Sequence, residues 1–143
     1  MADARAALVA EARRWMGTPY CHQASTLGAG CDCLGLVRGV WRARHGAEPV
    51  VIPPYGPDWS EPARDEALWR ALVQHLRPAP GPMQPGDVLL FRMRAGSVAK
   101  HLGILTQAGP VLRFVHAYSG HGVVESPLSS PWARRIVARF DMT

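Results

Sequence analysis

One cysteine at the start of a predicted helix is the residue best placed to do chemistry in this chain. Cys33 follows a loop of small residues and opens an apolar-periodic segment that runs to His45. The free N–H groups and partial positive charge of a helix N-terminus favour an anion, which lowers the pKa of a thiol. The same N–H groups could hold an oxyanion close to the sulfur. On position alone, however, a small buried apolar residue is the favoured interpretation of Cys33.

Two histidines could supply the base that a thiol nucleophile requires. His101 begins one apolar segment, and His116 lies near the end of the next. If these segments are strands joined by a turn near Gly109, the hairpin places His101 almost directly opposite His116. Opposed side chains on one face lie within roughly 5 Å at Cβ, so His116 could orient His101 as the base toward Cys33. Taken singly, each histidine is more often a surface or satisfied core residue, and His121 is the fallback for His116.

The same side chains also suit a zinc site, which is a different class of function. Two thiolates and two imidazoles make a common tetrahedral ligand set. The ligands would be Cys31, Cys33, His101 and His116, with Cys21 and His22 as further candidates. The Cys-x-Cys spacing is less usual than Cys-x₂-Cys, and a bound metal would suppress the nucleophilicity of the thiolate. The metal content of the purified protein discriminates between the two interpretations.

The elements around these residues change from helices to strands along the chain. Apolar periodicity predicts helices over residues 3–16, 33–45 and 62–76, with Asp32 as the N-cap of the second. Five strands are predicted over residues 87–94, 100–107, 111–118, 122–126 and 134–140. Short turns make consecutive strands antiparallel. Helices followed by strands indicate an α+β fold, and a length of 143 residues fits one domain spanning 1–143.

Composition and charge narrow the partners and the location. The formal net charge is +5, but the arginines are scattered and form no basic run with interleaved aromatics, so nucleic-acid binding is not expected. No segment approaches the length of a membrane helix, and the N-terminus lacks the pattern of a signal peptide. We expect synthesis in the cytoplasm without an export signal of its own. Three clustered cysteines make a poor disulfide framework.

Four motifs in a fixed order carry a resemblance to a known family. They are Gly17-Thr-Pro-Tyr20, Cys31-Asp-Cys-Leu-Gly-Leu-Val37, Pro85-Gly-Asp-Val-Leu-Leu-Phe91 and His101-Leu-Gly-Ile104. Together they resemble the NlpC-type cell-wall cysteine peptidases over nearly the whole chain. The resemblance implies a papain-like α+β fold, with N-terminal helices packed on an antiparallel sheet of about five strands. It implies a peptidoglycan hydrolase that needs no metal and no cofactor.

The resemblance also assigns roles to individual residues. It makes Cys33 the nucleophile, His101 the base and His116 the third, orienting member. Tyr20 corresponds to a tyrosine that supports the cysteine and the oxyanion, and Asp32 to an acidic residue near a substrate amine. His22, in the loop before the cysteine, is expected to line the site. Leu34 departs from the family, because most members have Ser at this position.

A second resemblance concerns the branch of the family. The segments Tyr20-Cys-His-Gln-Ala-Ser25 and Cys31-Asp-Cys-Leu-Gly35 are similar to peptidases encoded among the tail genes of phages and gene transfer agents. This implies cleavage of a stem-peptide bond, of the D-glutamyl–diaminopimelate type, by a component of a phage-like tail or baseplate that acts in the periplasm or at the cell wall. Its partners would be peptidoglycan and tail proteins. A structural tail component, or an amidase or acyltransferase on the same fold, is the alternative.

Overall fold

Three helices pack against an antiparallel sheet in the computed structural model, which describes residues 2–53, 55–56 and 65–143. The helices are α1 (Ala2–Arg14), α2 (Cys33–His45) and α3 (Ala67–His75). The predicted bounds of α2 are confirmed. Helix α1 ends two residues earlier than predicted, before Gly17, whose φ is +88°. The third helix, predicted over 62–76, ends one residue earlier, and residues 65–66 are not helical; residues 62–64 lie outside the described residues. No helix in the described part of the chain is long and apolar enough to cross a membrane.

The sheet holds six strands instead of about five. Its strands are β3 (Arg77–Pro78), β4 (Val88–Arg92), β5 (Ala99–Gln107), β6 (Arg113–Tyr118), β7 (Gly122–Pro127) and β8 (Ile136–Asp141), in the order β3-β8-β4-β5-β6-β7. All neighbours are antiparallel, which confirms the α+β fold. The sixth strand, β3, has only two residues and contains a proline, so no alternating pattern could reveal it. Two further short strands, β1 (Ser25–Thr26) and β2 (Gly30–Cys31), pair before α2, and α4 (Ser130–Ala133) precedes β8.

The register of the β5–β6 hairpin differs from the prediction. Ile104 pairs with Val115 and Leu105 with Phe114, and an irregularity follows between Leu105 and Gln107. Continued along the strands, this register places His101 opposite Tyr118 instead of His116. The two histidines are therefore diagonal neighbours on one face, a separation that ring side chains can bridge. The prediction that His101 lies almost directly opposite His116 was wrong by two residues, because the loop between the strands is centred near Pro110 and not before Gly109.

The two faces of the sheet bury different clusters, because strand side chains alternate between faces. One face packs on the helices through buried residues that include Leu8, Leu36, Leu102, Ile104 and Val115. The other face buries Leu89, Phe91, Leu105, Phe114 and Leu128, with Trp132 of α4 packed against them. The second cluster lies beside the histidines: the Phe91 ring is 5.5 Å from that of His101, and the Phe114 ring is 4.2 Å from that of His116.

Candidate active site

Cys33 is the first residue of α2, and its sulfur lies against the strand that carries His101. The thiol is 6% exposed, and its Sγ is 3.6 Å from the carbonyl oxygen of Lys100, to which the S–H donates. A thiolate at this position would accept hydrogen bonds from the backbone at Leu102, Leu34 and Cys33 itself. The sulfur therefore faces the peptide units on both sides of His101, at the N-terminus of a helix.

The two histidines form a buried, hydrogen-bonded pair. His101 Nε2 lies 2.8 Å from His116 Nδ1, and the two rings meet edge to face. The second ring nitrogen of His116, Nε2, lies 3.0 Å from Ser126 Oγ on β7. Trp132 packs on both imidazoles, at ring distances of 5.5 and 5.1 Å. The predicted contact between the histidines is thus present, and Ser126 is the third side chain in this hydrogen-bonded series.

Burial decides the charge state of these groups. It raises the pKa of the Cys33 thiol to about 12, with Asp32 adding to the rise, although the backbone N–H groups act in the opposite direction. Burial also lowers the pKa of His101 to about 3, with a further contribution from His116. The pKa of His116 falls to about 4 through burial and the neighbouring His121. The expectation of a lowered thiol pKa was wrong for the resting site, because desolvation outweighs the helix N-terminus.

Both carboxylate oxygens of Asp32, the residue before Cys33, accept hydrogen bonds from within the protein. Asp32 is 2% exposed, and its Oδ1 accepts from the backbone N–H of Gly35 at 2.7 Å, which confirms the predicted N-cap. Its Oδ2 accepts from the backbone N–H of Gln23 at 2.7 Å and from the Tyr55 hydroxyl. The carboxylate thereby ties the preceding loop and residue 55 to the start of α2. Its expected proximity to a substrate amine stays a prediction.

Tyr20 and His22 lie on the same side of the helix start. Tyr20 forms an isolated bridge with Cys31, and its pKa is raised to about 12 by burial and then by Cys33 and Asp32. The Tyr20 ring is therefore close enough to Cys33 to feel its charge. His22 is exposed, its Nε2 lies 2.9 Å from the carbonyl oxygen of Tyr55, and its Nδ1 lies 3.8 Å from Asp32 Oδ2. Their roles toward substrate stay predictions.

The alternative zinc interpretation finds no ligand cluster in the described part of the chain. There, no group of three or more His, Cys, Asp or Glu side chains is arranged to hold a metal ion. The three cysteines are free thiols, of which Cys21 is exposed and Cys31 buried. His121 lies in an exposed turn, where its ring stacks on Tyr118 at 5.2 Å.

Sequence reasoning missed three residues of this site. Ser126 could have been found from the alternation along β7, because β6 and β7 pair Phe114 with Ser126 and His116 with Val124. Trp132 lies in a four-residue helix, and Tyr55 lies in a proline-rich loop. Both positions depend on the path that the loops take back to the sheet, and a periodic sequence pattern does not predict that path.

Comparison with known proteins gives one matching family. Residues 17–140 match the NlpC/P60 family. The chain is 32% identical to the gamma-DL-glutamyl hydrolase of Bacillus subtilis (strain 168) over 98% of its own length and 30% of that protein. It is 27% identical to the murein DD-endopeptidase MepS/murein LD-carboxypeptidase of Escherichia coli (strain K12) over 96% of its length and 65% of that protein. The chain therefore spans about a third and about two thirds of these relatives.

Solved structures share the fold. The NlpC/p60 domain of the peptidoglycan hydrolase SagA superposes with a TM-score of 0.58 at 23% identity, covering 87% of this chain and 89% of that domain. At this identity the likeness establishes the fold alone.

Proposed function

The chain belongs to the NlpC/P60 family, and we propose that it is a cysteine peptidase that hydrolyses a peptide bond of bacterial peptidoglycan. The observation that carries the proposal is the position of the Cys33 sulfur, 3.6 Å from the Lys100 carbonyl and beside the peptide units that flank His101. The name of the murein endopeptidase supports the substrate class, and the name of the gamma-DL-glutamyl hydrolase supports hydrolysis at a glutamyl residue.

The hydrogen-bonded chain of side chains determines which ring nitrogen can act as the base. His101 Nε2 is engaged by His116 Nδ1, which leaves His101 Nδ1 to take the Cys33 proton. His101 must then carry its own proton on Nε2 and donate it to His116 Nδ1. His116 in turn carries its proton on Nε2 and donates to Ser126 Oγ. In this arrangement each member accepts from one neighbour and donates to the next, and the Ser126 hydroxyl accepts the last of these hydrogen bonds.

Catalysis begins from a neutral pair. Because the pKa of Cys33 is raised and that of His101 is lowered, thiol and imidazole are both uncharged at neutral pH. At rest the Cys33 S–H donates to the Lys100 carbonyl, so the thiol must first turn to His101 Nδ1. Its proton then moves to His101 as the sulfur attacks the scissile carbonyl carbon, and the new S–C bond places the electron pair on the carbonyl oxygen. Backbone N–H groups at the start of α2 stabilise that oxyanion.

Collapse of the oxyanion breaks the C–N bond and completes acylation. The leaving amine takes the proton from the His101 imidazolium, and a thioester on Cys33 remains. Water then attacks the thioester while His101 accepts its proton. That proton returns to the sulfur as the acid product leaves, so the enzyme ends in its starting state without net uptake of protons.

The proposal also specifies which peptide bond is cut and in which assembly the protein acts. We place the cut at a D-glutamyl–diaminopimelate-type bond, which the motif resemblance supports; the name of the Bacillus relative supports the glutamyl side of that bond alone. We place the protein in a phage-like tail or baseplate, made in the cytoplasm and acting at the wall. Only the resemblance of residues 20–25 and 31–35 supports that setting. Detection of the protein in purified tail particles tests it, and its absence from intact particles would count against it.

Digestion of purified peptidoglycan, with mass analysis of the fragments, tests the activity and identifies the bond. The wild-type protein should release fragments with new termini at one stem-peptide bond. Cys33→Ala should abolish release while the circular dichroism spectrum stays unchanged. Cys21→Ser is the matched control, because that thiol is exposed, and it should retain activity. Full activity in Cys33→Ala would refute the assignment of the nucleophile.

A further inference from the structure

Among the described residues, several arginines without a carboxylate partner are gathered around one cavity. Most arginines among residues 2–53, 55–56 and 65–143 have a carboxylate within 4.0 Å. The described arginines without such a partner are Arg44, Arg94, Arg113, Arg134 and Arg135. Arg94, Arg134 and Arg135 line the same cavity, whereas Arg44 and Arg113 lie elsewhere. Unpaired guanidinium groups gathered around one cavity are not expected from a merely solvated surface.

The cavity has a volume of about 420 Å³ and lies between the end of β4 and the start of β8. Arg92 completes its basic lining, and we call the cavity bounded by Arg92, Arg94, Arg134 and Arg135 the arginine hollow. In the described part of the chain, Glu66 is the one carboxylate within 4.0 Å of these four guanidinium groups. It pairs with Arg92 at 2.7 Å. Among the described residues, four guanidinium groups face this one carboxylate, so this lining carries an excess of positive charge.

The arginine hollow lies at the same end of the sheet as the histidine pair. The strand register pairs Phe91 with His101 and also with Ile136. Arg92 and Arg94 therefore leave β4, and Arg134 and Arg135 approach β8, at the level of His101. The Arg135 guanidinium lies 5.6 Å from the Trp132 ring, and that ring lies 5.5 Å from His101. Two contacts thus connect the hollow with the proposed base.

We propose that the arginine hollow binds carboxylate groups of the peptide substrate on one side of the scissile bond. This inference rests on the proposed function. Peptide stems of the wall carry free carboxylates, and a guanidinium can hold a carboxylate through two parallel hydrogen bonds. The Trp132 ring lies 5.5 Å from His101 and 5.6 Å from the Arg135 guanidinium. An extended peptide advances about 3.4 Å per residue, so three or four residues span the distance from the base to the hollow by this route.

Shape and charge favour a short anionic peptide over a long polymer. The hollow is a local cavity. The other described arginines are mostly paired with carboxylates, so they do not continue it as a basic track along the surface. Single exposed charge pairs contribute little, so specificity would come from several guanidinium groups acting on one substrate segment. Arg135 would be oriented by its stacking on Trp132, and the exposed Arg94 and Arg134 would complete the site.

The test compares one peptide in two forms. A stem-type peptide with free carboxylates three to four residues from the cut is measured beside the same peptide with those carboxylates amidated. Arg94→Gln and Arg134→Gln should each lower kcat/KM for the carboxylate form by about five-fold, mainly through KM, and leave the amidated form unchanged. Arg44→Gln is the matched control, because Arg44 also lacks a carboxylate partner but lies on α2; it should change neither value.

Binding to an inactive variant separates this inference from the proposed function. In a Cys33→Ala background, calorimetry should show tighter binding of the carboxylate peptide than of the amidated peptide, and Arg134→Gln should remove the difference. Equal effects on both peptides, or no effect of either arginine, would overturn the inference while hydrolysis by the wild type stands. Binding of a phosphodiester polymer in preference to the carboxylate peptide would overturn it too. Failure of the wild type to hydrolyse either peptide would instead contradict the proposed function.

Discussion

At the scale of single residues, burial sets the protonation state of the site. Cys33 is 6% exposed and His116 1% exposed, and burial disfavours a thiolate and an imidazolium alike. The amides at the start of α2 oppose this shift only in part. The resting site is therefore uncharged, and charge develops as substrate reacts. A neutral pair needs a defined tautomer, and the Ser126 hydroxyl lies where it can accept from His116 Nε2.

Replacing Ser126 tests the role of that hydroxyl. Ser126→Ala should lower kcat by about ten-fold, equivalent to roughly 1.4 kcal/mol of lost hydrogen bonding, with little change in KM. Ser126→Thr keeps the hydroxyl and should restore most of the rate. Nitrogen NMR of the His116 ring should show one tautomer in the wild type and a mixture in Ser126→Ala. An unchanged ring spectrum together with an unchanged kcat would remove Ser126 from the mechanism.

At the scale of elements, α2 carries the site because its first turns fit closely against their neighbours. A Cβ at Gly35 would overlap the carbonyl group of Ala24, and a Cβ at Gly39 would overlap the indole of Trp15. Glycine at these positions lets the loop and α1 approach the helix backbone. The approach to Ala24 lies two residues after Cys33, so it places the loop that carries Tyr20 and His22 beside the nucleophile.

Gly39→Ala tests whether close packing outweighs helix propensity. Alanine favours a helix over glycine by about 1 kcal/mol, but the overlap with Trp15 should cost more than this gain. We expect a net loss of about 1–2 kcal/mol in the free energy of unfolding, measured by urea denaturation. In a Trp15→Phe background the benzo ring is gone, and the same substitution should cost less. A stabilised Gly39→Ala in the wild-type background would contradict this account of the α1–α2 contact.

At the scale of the whole molecule, buried polar groups couple the sheet to the helices. Asp87 is fully buried and pairs with Arg5 of α1 and Arg139 of β8, at 2.8 Å each. His101 and His116 are a second buried polar pair, at 7% and 1% exposure. Breaking one partner of such a buried pair leaves an uncompensated charge, so the fold depends on pH wherever a buried group must change its charge.

The free energy of unfolding should fall as the pH is lowered below about 6.5. The folded pKa values of His101 and His116 are about 3 and about 4, below the unfolded value of 6.5. Below pH 6.5 the unfolded chain therefore binds protons at these histidines, whereas the folded protein does not. The free energy of unfolding decreases between pH 6.5 and 4 by up to about 1.4 kcal/mol per pH unit for each histidine. His116→Gln should reduce the slope in urea titrations at pH 7.5, 6 and 5. Parallel curves for the two proteins would contradict the assignment.

Local pattern was enough to predict α2, its Asp32 cap and the α+β class, because these depend on periodicity and on short-range hydrogen bonds. It also selected Cys33, His101 and His116 as candidates, since residue type and motif order are written in the chain. The β5–β6 register, the contacts of Ser126 and Tyr55, and the arginine hollow required the folded structure. Each of them joins segments far apart in sequence. The protonation state of Cys33 was misjudged for the same reason: a helix N-terminus is a local feature, whereas the desolvation that outweighs it is produced by every element that packs around the sulfur.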